Sequence, residues 1–161
     1  VSAERDLTAG MAAAITAGTV YPAIFLEGEF STGWGRWWSG VGYYDWNGYT
    51  WTGLGGLISI SQISEGTGIA ARGFSIELSG QDSANISLAL QACRQGKAGR
   101  IYLAAFTAAG ALIPDPYLLA EGRLDVAGGS DDGDSAIITV SYELRLIDLE
   151  RPRELRYTTE S

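Results

Sequence analysis

The stretch Asp45-Trp46-Asn47-Gly48-Tyr49-Thr50-Trp51 decides the class of this fold. Asn-Gly lies between aromatic β-formers, and both central residues of a two-residue type I′ turn must accept a positive φ, which Asn and Gly do most readily. The segment therefore predicts a tight hairpin. Period-two patterning spreads outward from it. Residues 23–30 read as a strand, with Ile24, Leu26 and Phe30 on one side and Phe25, Glu27 and Glu29 on the other. Residues 36–39 form a second, aromatic strand, and 57–63, 73–79, 100–107, 117–126 and 136–147 complete the set. In the last of these Val140, Tyr142, Leu144 and Leu146 alternate with Thr139, Ser141, Glu143 and Arg145, so one face belongs to a core.

Two segments carry helical spacing instead. Leu7, Met11, Ala14 and Ile15 mark one apolar face of a helix over 3–17, capped by Ser2 and ended by Gly18. Ala-rich and thinly apolar, it needs support from elsewhere in the fold. Residues 83–93, with Asp82 as cap, place Ile86, Ala89, Leu90 and Cys93 on one face, which turns the single thiol toward the core as an inert structural group. Three loops stand out: 95–99, the acidic Gly128-Gly129-Ser130-Asp131-Asp132-Gly133-Asp134, and the charge-dense tail. The expected organisation is an N-terminal helical segment (1–20), a β-rich domain of eight or nine strands (21–147) and a charged C-terminal arm (148–161).

Composition narrows the function. The 161 residues suit one domain with a core of its own, and 46% apolar with 19% charged residues is a globular balance. Gly, at 22 residues, fits many tight turns. There is no His, so a His-dependent triad, a His-ligated metal and a histidine pH switch are excluded. One Cys makes neither an internal disulfide nor a thiolate cluster. Lys and Arg number 11 against 19 acids, a net charge of −8, the reverse of what a nucleic-acid binder needs. No apolar run approaches the roughly 18 residues of a membrane helix, so no membrane insertion is expected. Few cysteines suit a reducing compartment. The start at Val1 suggests loss of an initiator Met.

Candidate chemistry is sparse. All five Trp lie between Trp34 and Trp51, beside Tyr43, Tyr44 and Tyr49. Strand alternation predicts that Trp46 and Trp51 do not both face inward, which leaves an aromatic platform for a sugar ring or a protein partner; the alternative packs the hairpin against the core. Glu27 and Glu29 have the spacing of a carboxylate pair, but acids at i, i+2 read better as solvated charges protecting an edge strand than as a glycosidase site. The acidic Asp131-Asp132-Gly133-Asp134 lacks the alternation and terminal Glu of a calcium loop. Gly96-Lys97 lacks the first Gly and the Ser or Thr of a P-loop, and Gly73-Phe74-Ser75-Ile76-Glu77 fails as a nucleophile elbow. Asn85-Ile86-Ser87 fits a glycosylation sequon but falls in a predicted helix. No catalytic, cofactor-binding or metal residues are assigned. In the tail, Arg145, Asp148, Glu150, Arg151, Arg153, Glu154 and Arg156 alternate in sign. Such runs are usually solvated termini, yet guanidinium–carboxylate pairs also fix register between repeated subunits.

Five segments stand out when taken in order: Tyr44-Asp45-Trp46-Asn47-Gly48-Tyr49-Thr50-Trp51-Thr52-Gly53, Ile76-Glu77-Leu78-Ser79-Gly80, Gly99-Arg100-Ile101-Tyr102-Leu103, Gly122-Arg123-Leu124-Asp125, and Leu146-Ile147-Asp148-Leu149-Glu150-Arg151-Pro152-Arg153 followed by Arg156-Tyr157-Thr158. Together they resemble a family of tail-tip components of siphophages and prophages. The resemblance runs from about Tyr21 onward, and its weight lies in the collinear set. It implies a β-barrel or sandwich of the tail-tube type with two short helices. It also implies a non-enzymatic baseplate hub or distal tail ring that connects the tail tube to the tip of the virion and is made in the host cytoplasm.

The partners so implied are the chain itself in a three-fold or six-fold ring, tail-tube, tape-measure and other tip proteins, and DNA only in transit. An acidic lumen would not hold passing DNA. Related hub proteins, including those of gene transfer agents, often continue into a Cys-bearing part that holds an iron–sulfur cluster. With Cys93 alone and the chain ending at Ser161, no cofactor is expected here. The residues expected at the assembly interface are Arg145, Asp148, Glu150, Arg151, Arg153 and Arg156, with Tyr44, Trp46 and Trp51 in a packed or interfacial hairpin. The rival function is a carbohydrate-binding β-module using the Trp34 to Trp51 cluster.

Overall fold

The computed structural model describes residues 7–18, 20–55, 58–60, 73–81, 91–131 and 136–144. Helix α1 (Ala9–Thr16) precedes nine strands: β1 (Tyr21–Phe30), β2 (Gly33–Trp38), β3 (Tyr43–Trp46), β4 (Tyr49–Gly53), β5 (Ile58–Ile60), β6 (Gly73–Gln81), β7 (Ala98–Phe106), β8 (Tyr117–Asp131) and β9 (Ala136–Leu144). They form one sheet in the order β3-β4-β2-β1-β7-β8-β9-β6-β5. All neighbours are antiparallel except β2 and β4, which run parallel. The protein is mainly β, as expected, but the sheet does not close into the barrel or sandwich foreseen.

The open sheet curls. One inner core gathers Leu26 of β1, Ile101 of β7, Leu124 of β8, Tyr142 and Val140 of β9, and Phe74 of β6. A row of glycines makes the curvature possible. Gly35, Gly28, Gly99 and Gly122 stand in register across β2, β1, β7 and β8. The Tyr142 ring fills the resulting slot, with its hydroxyl 3.0 Å from where a Cβ on Gly28 would sit. A Cβ on Gly99 would overlap the same ring. Glycines covered by aromatic rings are a recognised device for bending a sheet without leaving a void.

Several local expectations are met and others corrected. Asn47 and Gly48 have φ of 55° and 77°, the positive pair that the hairpin turn requires. In β9 Val140 and Tyr142 are buried and Leu144 packs half-buried against the same core, as the alternation foretold, while Leu146 lies outside the described residues. Helix α1 starts at Ala9, with Leu7 and Thr8 outside it: Thr8 caps it, accepting from the Met11 N–H, Gly18 follows its end at φ 75°, and the expected cap Ser2 lies outside the described residues. Met11 and Ala14 are buried but Ile15 is 51% exposed, so the predicted apolar face is only partly used. The support this helix needs comes from the loop before β8, where the Thr8 hydroxyl donates to the Asp115 carbonyl.

Residues 128–131, expected in an acidic loop, continue β8, because its pairing with β9 persists to Asp131. Of the second predicted helix Gln91, Ala92 and Cys93 are described, of which the first two are helical and Cys93 is not; 83–90 lie outside the described residues. Cys93 packs partly buried against the inner core, and burial pushes its thiol above the ordinary range, in keeping with the inert role expected of it.

Candidate functional site

The second face of β1 carries the aromatic and charged residues singled out in the sequence. Phe25, fully buried, is the centre of an aromatic cluster. The rings of Trp51, Trp46, Trp38 and Tyr44 lie 5.1, 5.2, 5.9 and 6.1 Å from it, centroid to centroid. The hairpin of β3 and β4 folds over this face. With a two-residue turn Trp46 pairs with Tyr49 and Tyr44 with Trp51, so all four side chains leave the hairpin on one side. Trp46 and Trp51 therefore do both turn inward, contrary to expectation, with ring centroids 5.2 Å apart. Trp51 is 1% exposed and its indole N–H donates to the Trp46 carbonyl at 3.0 Å. Of the aromatics between Trp34 and Trp51, Trp34, Tyr43 and Tyr49 remain at the surface.

Two residues further along β1, the same face becomes ionic. Glu27 is 8% exposed on an interior strand, not a solvated charge at an edge. The antiparallel registers set it opposite Arg36 of β2 and Arg100 of β7. Arg36 Nε donates to its Oε2 at 3.2 Å, and Arg100 Nη1 to its Oε1 at 2.9 Å. The Tyr102 hydroxyl donates to the same Oε1 at 3.0 Å, which joins the ionic cluster to the aromatic one. Burial, and then the Glu27 charge, push Tyr102 up to about 12. Arg100 also donates to Glu121 at 3.3 Å.

The Arg36 guanidinium stacks 3.5 Å above the Tyr49 ring, so the tip of the hairpin is fastened to the sheet through a cation already held by Glu27. Glu29 pairs with Lys97 at 2.7 Å, and that hydrogen bond holds its carboxyl below the usual range. Both acids of the possible carboxylate pair are thus engaged by cations. Sequence reasoning missed the network because Arg36 and Arg100 reach Glu27 only through strand pairing.

Among the described residues no group of three or more Cys, Asp or Glu is placed to hold a metal ion, and no helix is long and apolar enough to cross a membrane. The expected assembly residues Arg145, Asp148, Glu150, Arg151, Arg153 and Arg156 lie outside the described residues. What the site offers chemically is a rigid, internally neutralised fastening rather than a nucleophile with a base.

No protein family matches the sequence, and no curated protein does. Among solved structures, a chain from the virion of a native gene transfer agent particle superposes with a TM-score of 0.65 over 91% of this chain. The two share a fold. Their sequence identity is 13%, and this chain spans about half (48%) of that virion chain's length.

Proposed function

We propose that this chain is a structural component of a phage-like particle, placed at the tail tip as a baseplate hub or distal tail ring, and that it works by assembly rather than catalysis. The observation that carries the reading is the superposition on a gene transfer agent virion chain across 91% of the residues. The collinear resemblance to tail-tip proteins, drawn from the sequence alone, supports it independently. In this reading the fastened hairpin keeps one face of each subunit rigid. The arm over 148–161 reaches a neighbour, where Arg151, Arg153 and Arg156 pair with carboxylates to fix register. Copies of the chain close a three-fold or six-fold ring. Tube, tape-measure and other tip proteins are its further partners, and the net charge of −8 gives DNA in transit nothing to hold it.

The experiment is incorporation of wild-type and Arg151→Glu chains into particles, followed by density-gradient sedimentation. The reading expects wild type to travel with particles, and the variant to fold but stay at the top of the gradient. Unchanged incorporation of the variant would count against the role given to the arm. Absence of wild type from particles would count against the function itself.

A further inference from the structure

Charge is spread unevenly along the strands. Residues 7–26, 37–44 and 101–114 contain no Asp, Glu, Lys or Arg. Antiparallel pairing of β1 with β2 and with β7 brings the start of β1, the end of β2 and the end of β7 to one end of the sheet. The loop between β2 and β3 lies at the same end, tied there by the Gly53 N–H to the Gly42 carbonyl and the Gly55 N–H to the Gly40 carbonyl. Among the described residues the charges that adjoin these stretches are Glu27 and Asp115, Arg36 and Asp45, and Arg100, at their boundaries. The hairpin tip and the Glu27 network occupy the other end.

The uncharged end has relief. Val41 and Tyr43 project from it, 85% and 78% exposed. Beside them an open groove of about 430 Å³ is lined by Tyr21, Pro22, Trp38, Tyr44, Phe106 and Ala108. Gly40 borders the groove, so knob and groove share one loop. A protein carrying −8 repels its own copies, and a contact that buries unpaired charge adds a desolvation cost. This end is where two copies can bury apolar surface without either penalty at close range. A projection and a groove within one patch also satisfy the self-complementarity that a two-fold contact requires.

We propose that the uncharged end is a self-association surface, in which Val41 and Tyr43 of one copy seat in the Tyr21–Trp38–Phe106 groove of a second copy and the reverse. The contact does not depend on the charged arm, nor on the particle role.

Sedimentation velocity of the purified chain over a range of concentrations and salt tests it. Wild type is expected to pass from one-chain to two-chain species as concentration rises, more readily in high salt because repulsion is screened. Val41→Asp/Tyr43→Asp and Ala108→Glu should each weaken pairing by roughly tenfold or more. An equimolar mixture of the two should regain part of it, since one intact knob then meets one intact groove. Near-ultraviolet circular dichroism checks that the variants are folded. If the double variant is not, Ala108→Glu decides, because Ala108 is exposed and its replacement leaves the buried core untouched. Wild type that remains single at every concentration, variants that pair like wild type, or pairing that weakens with salt would each overturn the proposal. The last outcome would point to ion pairs, as the arm would make.

Discussion

Glu27 and Arg100 face each other across β1 and β7, with Nη1 of the guanidinium 2.9 Å from Oε1 of the carboxylate. The pair also holds Tyr102 and, through the second carboxylate oxygen, Arg36. Removing the carboxylate takes from Arg36 and Arg100 the one anion they share, leaving only Glu121 on Arg100. Glu27→Ala is therefore expected to lower stability by about 1–3 kcal/mol, less than for a fully buried pair because both cations reach solvent and Arg100 keeps Glu121. Denaturant unfolding checks it, and a loss of a few tenths would show that the network is solvated.

The glycine row makes a sharper claim about shape. Gly99→Val places a branched side chain where the Tyr142 ring lies, and such overpacking costs about 1–3 kcal/mol. Because the two residues share one volume, the cost should shrink in a Tyr142→Ala background. A double-mutant cycle should therefore show clear coupling. Additive losses would mean that the ring does not occupy the slot.

At the hairpin turn, Gly48 has φ 77°. Gly48→Val forces a β-branched residue into the left-handed region, at about 1–2 kcal/mol. Thermal melts followed by tryptophan fluorescence report on this region, since Trp46 and Trp51 flank the turn. An unchanged midpoint would contradict the turn assignment.

Tyr102 ionises at about 12 in the folded protein against an ordinary value of 10. A raised folded value means that the native state holds its proton more tightly than the unfolded chain. The stability this confers is complete below pH 10, falls as pH rises beyond it, and is gone above about 12. Tyr142, buried, shifts in the same direction. Ultraviolet titration of wild type and Tyr102→Phe should show one fewer phenol in the late, alkaline phase of the variant. Loss of an early phase instead would place Tyr102 in water.

The parts of this fold legible in the sequence are those fixed by near neighbours. Asn47 and Gly48 announce their turn by conformational preference alone, and β9 announces its buried face by alternation. The role of Glu27 was not legible, because its cations lie 9 and 73 positions away and only register brings them to it. The same holds for Gly28, Gly35, Gly99 and Gly122, four separate glycines until three registers align them. The inward turn of both Trp46 and Trp51 follows from cross-strand pairing, which counting along one strand does not reveal. Whether a curled sheet closes depends on its outermost strands, β3 and β5, and no local pattern encodes that.

The proposed place of this chain is the tip of a phage-like tail. Immunogold electron microscopy of particles from the source organism, with antibody raised to this chain, tests it most directly. Gold confined to the distal end of tails is expected. Unlabelled particles, with the protein recovered free in solution, would contradict it.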